Sequence, residues 1–384
     1  MQAYNKSDLY NKYVQEQATE ALHSACISEE SYKNILQVHP TMLYTPNYFI
    51  RIALGLLTAV SVIFSGLLLW LFTSASSTAA ITTLLIFLAI ICYITLELLV
   101  KSKQYYNAGV DNVLMNMTIA FVVSAFFVFA QGSWLVTSSV IMVIALWLSI
   151  RFTDAFMSMV SYCCFFIFIF LAYIKGGEMA KATAPLIMMA VSALVYLFMK
   201  KLIRAGTFKY QFCFKAVILL TLITFYASGN YFIVKELSNQ MFHLRLRLND
   251  SIPFGWLFWI FTLIIPPVYI IYGITKKDFL VMRTGLALIA ATIFTVKYYY
   301  AVLPAEIAML IAGVIVTALS YALIKYLNIS RHGYTSQNIY HSKNEILNAE
   351  ALIIAETFNK KPTIENRGLY GGGSGGGGGA TGEY

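Results

Sequence analysis

The sequence predicts an all-α fold, a polytopic transmembrane helix bundle of about ten spans with both termini on the inner side (N-in/C-in). Three observations predict it. Hydrophobic residues make up 59% of the 384-residue chain and charged residues only 12%, where a soluble domain carries about 25% charged residues. Charges crowd the two ends and a few short clusters, and mean hydropathy is +0.70. The intervening apolar runs are about 20 residues long, enough for a helix to cross a hydrocarbon layer of about 30 Å. They are continuous rather than alternating, which is the pattern of spanning helices and not of a barrel.

Residues 1–49 read as a cytosolic amphipathic helical region. In SDLYNKYVQEQATEALHSA, Leu9, Tyr13, Ala18 and Leu22 fall near helical spacing. In ISEESYKNILQVHP, Ser28 stands where a helix cap is needed, and Glu29 and Glu30 follow as first-turn acids. Pro40 and Pro46 end the pattern before the membrane.

Residues 50–326 read as the transmembrane bundle. Its spans are expected at about 50–73, 78–100, 112–131, 134–152, 155–174, 183–199, 212–234, 254–274, 279–300 and 304–326. The tightest joins are Gly132-Ser133 and Thr153-Asp154. Residues 327–362 read as a cytosolic amphipathic helix, with Ile339, Ile346, Ala349 and Ile353 on one face. Residues 363–384 read as a native flexible Gly-rich tail that holds no core.

Loop charges orient the bundle. With the N-terminus inside, the inner loops hold Lys101, Lys103, Arg151, Lys200, Lys201, Arg204, Lys209, Lys276 and Lys277. The outer loops hold Lys175, Lys181, Lys235, Arg245 and Arg247, so the positive-inside rule places both termini in the cytoplasm. The first strongly apolar run begins near Ile50, behind a polar stretch too long for a signal-peptide n-region, so that span is expected to serve as an uncleaved targeting signal. The net charge of +9 does not indicate nucleic acid, because the cations flank spans and form no binding stripe. Cys26, Cys92, Cys163, Cys164 and Cys213 have no metal-ligand spacing, and buried free thiols are expected. No cofactor is called for.

Three places could carry chemistry. The first is the ninth span, which holds Arg283 near its inner end and Lys297 at its outer end. Fourteen residues at ~100° each bring the two within about 40° of one another, with Ala287, Ala290 and Phe294 between them on that face. Small residues mark faces that pack on other helices, so both cations are expected to face the protein interior. Glu306 would meet Lys297 across a short outer turn, and Glu97 would meet Arg283. The alternative is snorkelling of Lys297 to headgroups within a belt of Tyr298, Tyr299 and Tyr300.

The second place is Pro266-Pro267, midway through the eighth span. Two prolines remove helix donors and free carbonyls, either to line a binding site or to form a kink that neighbouring helices satisfy. The third is the outer segment MFHLRLRLND. If extended, it puts His243, Arg245 and Arg247 on one face, where they could hold a phosphate or carboxylate or rest on anionic headgroups. No HExxH, GxSxG or P-loop is present, and none of the five histidines lies in an expected span.

Two segments carry a resemblance. ISEESYKNILQ resembles the short cytosolic helical prefix of an uncharacterised family of predicted bacterial polytopic membrane proteins. RTGLALIAATIFTVKYYYAVLPAEIAMLIAGVIVTALSYALIKYL is similar to that family's late segment, an Arg-led helix ending in aromatics before a Gly-containing final span. The resemblance covers about a third of the chain. It implies a multi-helix fold in a bacterial inner membrane and brings no activity, so no residue's role follows from it. Three functions fit the sequence: a transporter or channel for a small solute or ion, a non-catalytic membrane scaffold or envelope-assembly component, and an enzyme acting on lipid-linked glycans. The expected partners are the lipid bilayer, a small solute or ion, and a second copy or membrane partner.

Overall fold

The computed structural model describes residues 3–299 apart from 24–25, 74–76, 131, 207, 243–249, 251 and 253, together with isolated positions between 310 and 325. The chain divides into the units Met1–His341 and Ser342–Tyr384, and the bundle belongs to the first. The tenth span, the helix expected over 327–362 and the Gly-rich tail lie mostly or wholly outside the described residues.

The described residues form twelve α-helices. Two precede the bundle: α1 (Lys6–His23) and α2 (Glu29–Val38). The others are α3 (Tyr48–Thr73), α4 (Thr78–Lys103), α5 (Val110–Phe129), α6 (Trp134–Phe152), α7 (Ala155–Ile174), α8 (Glu178–Arg204), α9 (Gln211–Gly229), α10 (Tyr231–Phe242), α11 (Gly255–Thr275) and α12 (Phe279–Tyr299). Nine of these, α3 to α9 with α11 and α12, are long and apolar enough to cross a membrane. The chain is a multi-pass membrane protein with an all-α bundle.

The joins are sharp where the sequence made them short. Thr153 takes a left-handed conformation to end α6, and the Asp154 side chain accepts from Met157 N at 2.7 Å to start α7. Gly132, at φ 81°, turns the chain between α5 and α6. Ser28 caps α2 by accepting from Ser31 N at 3.2 Å, as expected. One expected span is divided. The run 212–234 breaks at Asn230, which is extended at φ −76°, ψ 126°, and α10 leaves from there.

Neighbouring spans pack as hairpins in chain order: α4 with α5, α6 with α7, α8 with α9, α11 with α12. Helix α7 packs on α8 and α9, which joins the early hairpins to the late ones, and α9 packs on α11 and α12. In the α11–α12 hairpin the backbones come very close. A Cβ on Gly285 would lie 2.9 Å from both Ile270 Cγ1 and Tyr269 Cβ, and one on Gly273 would lie 2.6 Å from Met282 N. Small residues let the two backbones meet.

The N-terminal helices are stitched onto one end of the bundle. Ala3 N donates to Arg151 O at 3.0 Å, and Tyr4 Oη donates to Tyr105 O at 3.0 Å. Tyr44 pairs with the α4–α5 connection through Tyr44 N to Gln104 O at 2.9 Å and Tyr106 N to Tyr44 O at 3.1 Å. Consecutive spans alternate in direction, so the starts of α3, α5, α7 and α9 and the ends of α4, α6 and α8 share this end, the N-terminal side of the bundle. The cysteines are thiols outside any disulfide, with Cys92 and Cys213 buried and Cys26 and Cys163 exposed, so only part of the expected burial holds.

Candidate functional site

A cavity of about 530 Å³ with a mixed polar and apolar lining opens at the N-terminal side, against α1. Its polar walls come from several elements, and Phe212 of α9 adds an apolar one. Arg51 stands in the first turn of α3, Tyr106 and Asn107 in the α4–α5 connection, Asn112 and Asn116 on the first two turns of α5, and Asp154 at the start of α7. Glu16 reaches the cavity from α1.

Local chemistry builds each wall. The α4–α5 connection needs three residues at positive φ: Gln104 at 52°, Asn107 at 52° and Gly109 at 93°. Asn is among the few side chains that tolerate that region. Asp111, 2% exposed, straps the connection by accepting from Asn107 N at 2.7 Å and Ala108 N at 2.9 Å. The strap holds the Asn107 side chain toward Arg51, whose guanidinium donates to Asn107 Oδ1 at 3.4 Å. Asn112 and Asn116 are four apart, so one helical face presents both amides. Asn112 Oδ1 is buried without a hydrogen-bond partner, and such a group costs about 1–3 kcal/mol unless something donates to it.

The charges are mixed. Burial pushes the Asp154 carboxyl above its ordinary range; the Met157 N–H opposes the rise, nearby Asp111 adds to it, and Arg51 offsets it. Burial likewise raises Glu16, with Lys12 opposing and Glu20 adding. An acid raised in the folded state binds more protons folded than unfolded, so its stabilising effect grows as pH falls through the interval between the two pKa values. That interval begins near the ordinary carboxylate value of about 4 and extends upward. The melting temperature is therefore expected to respond more favourably to a shift from pH 7 to pH 5 in the parent than in Glu16→Gln/Asp154→Asn, where Asn still caps α7. Parallel slopes for the two proteins would contradict the assignment.

The residues singled out in the sequence lie elsewhere. Arg283 and Lys297 do share a face with Ala287, Ala290 and Phe294, but all five are exposed. The packed side of α12 is the other one, carrying Val281, Thr284, Gly285, Leu288 and Thr295. The expectation that both cations face the interior is corrected accordingly. Glu97 meets Arg151 rather than Arg283, with Arg151 Nε donating to Glu97 Oε2 at 3.1 Å and the second guanidinium nitrogen to Oε1. Glu306, His243, Arg245 and Arg247 lie outside the described residues.

Pro266 and Pro267 sit inside an unbroken α11, the first buried and the second exposed. Lacking an N–H, Pro266 leaves Thr262 O without its helical donor. Thr292 Oγ1 on α12 donates to that carbonyl at 3.1 Å. The freed carbonyl is thus satisfied by a neighbouring helix. Thr292→Val is expected to cost about 1 kcal/mol, and less in a Pro266→Ala background, where residue 266 can again donate to Thr262 O. A double-mutant cycle on thermal unfolding measures the difference, and equal costs in both backgrounds would rule the compensation out.

The same hydroxyl belongs to a buried network across α9, α11 and α12. Tyr226 Oη pairs with Thr292 Oγ1 at 2.9 Å, Asn230 Nδ2 donates to Tyr226 Oη at 2.9 Å and to Thr295 Oγ1 at 3.0 Å, and Tyr231 N donates to Thr262 Oγ1 at 2.9 Å. Beyond the break, Lys235 is 4% exposed and lies over the rings of Tyr299 and Tyr231 at 4.9 and 5.9 Å from their centroids. Lys235 is therefore a helix residue packed among aromatics, where a loop charge was expected.

Sequence reasoning missed the cavity. Its signal was DNVLMN, residues 111–116: an acid and two amides at helical spacing in the opening turns of an apolar run. Among the described residues no group of three or more His, Cys, Asp or Glu side chains is placed to hold a metal ion. No family model, curated protein or solved structure matches the chain.

Proposed function

We propose that the chain is a transporter or channel for a small polar solute or ion, and that the cavity at the N-terminal side is its solute site. The observation that carries the reading is the convergence of the Arg51, Glu16 and Asp154 charges with the Asn107, Asn112 and Asn116 amides around that cavity. Arg51 supplies donors, Glu16 and Asp154 supply acceptors, and the amides serve as either. A solute carrying both donor and acceptor groups suits this lining. The divided helix at Asn230 supports the same reading, since transporters build their paths from interrupted helices. The excess of Lys and Arg in the N-terminal-side loops supports termini in the cytoplasm, and α1 then covers the site from that compartment.

Uptake into proteoliposomes tests the proposal, with amino acids, polyols and monovalent ions as separate probes. One class is expected to enter. Asn112→Leu should lower its uptake by about tenfold, the worth of one buried hydrogen bond to a ligand, while melting stays close to the parent's. If no probe enters and none shifts the melting temperature, the reading is wrong. A stable protein partner retained in mild detergent would then favour a scaffold.

A further inference from the structure

The cavity at the N-terminal side holds opposite charges that do not meet. Arg51 lines it from α3 and Asp154 from the start of α7. Arg51 is near enough to offset part of the rise in the Asp154 carboxyl, yet among the described residues no ion pair joins the two. Of its five N–H donors Arg51 spends one, on Asn107 Oδ1 at 3.4 Å. Asp154 accepts from Met157 N at 2.7 Å, and a carboxylate offers about four acceptor positions. The other acids at this end are accounted for. Glu16 lies 4.0 Å from Lys12 on its own helix. Asp111 is buried, with both oxygens on backbone N–H groups. One positive and one negative side chain are left, on different helices, facing the same space of about 530 Å³.

Holding opposite charges apart in a partly buried site forgoes their mutual attraction. A ligand that carries both complementary charges answers each of them. The rest of the lining is apolar and adaptable: Met115, Phe156, Met159 and Phe212. Thioethers and rings accommodate aliphatic or aromatic groups of different shape. We infer that the solute is an α-amino acid with an apolar side chain, its carboxylate on Arg51, its ammonium on Asp154 and its side chain against the two methionines and two phenylalanines. The inference rests on the proposal that this cavity is a solute site. A polyol would leave both charges unanswered, and a monovalent cation would leave Arg51 so.

Titration calorimetry of the full chain in detergent tests it. The probes are L-leucine, glycine, isoamylamine (leucine without its carboxylate) and 4-methylpentanoate (leucine without its ammonium). Leucine is expected to bind about tenfold or more tighter than either analogue, because each analogue forfeits one charge-assisted contact. Glycine, with no side chain, should also bind more weakly. Arg51→Gln should weaken leucine by about tenfold and spare isoamylamine. Asp154→Asn, which still caps α7, should weaken leucine as much and spare 4-methylpentanoate. The analogue comparison in the parent stands whether or not the variants fold. An analogue that binds the parent as tightly as leucine, or a leucine preference that survives either substitution, would overturn the inference. Glycine binding as tightly as leucine would overturn the apolar side chain. If glycerol or a monovalent cation enters proteoliposomes and leucine neither binds nor enters, the inference fails while the transport reading stands. If nothing binds or enters, both fail.

Discussion

Gly109→Ala is expected to abolish recovery of folded protein. Gly109 begins α5 at φ 93°, a conformation L side chains rarely adopt. A Cβ there would collide with Arg51 O and lie 3.0 Å from Arg51 C. Both are backbone atoms within α3, so no rotamer change relieves the overlap, and α3 would have to move away from α5. Strain and lost packing together should exceed about 4 kcal/mol, the exceptional end of single substitutions. Gly55 provides the control. It faces the same crossing from α3, but a Cβ there would meet Gly109 O and Val113 Cγ2 at 3.5 Å, an ordinary contact. Gly55→Ala should therefore be tolerated. Size-exclusion profiles and melting in detergent separate the two, and a Gly109→Ala protein that melts within a few degrees of the parent would refute the account. The crossing also carries Arg51 and Asn107, so the cavity cannot form without it.

Asn230→Leu is the second large effect. Asn230 is 2% exposed and stands where α9 stops and α10 begins. Its Oδ1 accepts from Phe232 N at 3.0 Å and Ile233 N at 3.3 Å, the bonding of a helix N-cap. Its Nδ2 holds Tyr226 and Thr295. Leucine keeps the volume but leaves two N–H groups and two hydroxyls short of a partner in a dry interior. Cap loss and unsatisfied groups together should cost about 3 kcal/mol, a fall of roughly 4 °C in melting temperature for a chain of this length. Asn230→Asp retains the acceptor and loses the amide donor, so it should fall between the two. A leucine variant as stable as the parent would mean that the break is held by the packing of α9 and α10 alone.

Much of the fold was legible in the residues. Run length and charge clustering located nine spans to within a few positions, because the bilayer imposes a length on any helix that crosses it. Ser28, Gly132 and the Thr153-Asp154 pair marked their boundaries, because caps and turns are local chemistry. The divided seventh span was less legible. Gly229-Asn230 interrupts an apolar run only briefly, and its meaning depends on Thr262, Thr292 and Thr295 from two other helices.

The residues alone determined a multi-pass helical bundle, its approximate spans, and the fact that Arg283, Ala287, Ala290, Phe294 and Lys297 share a face. Only the tertiary structure decided the direction of that face. Helical periodicity gives relative angles around one axis and no absolute orientation toward a neighbour. The close approach at Gly273 and Gly285 turned the opposite side of α12 toward α11 and left both cations exposed. The cavity obeys the same logic. Each of its polar residues is an ordinary local feature in its own segment, a turn, a cap or a polar side chain on a helix. They became a site because chain reversals delivered the ends of α3, α4, α5, α6, α7 and α9 to one side of the bundle, against α1, where residues more than a hundred positions apart in sequence line one cavity.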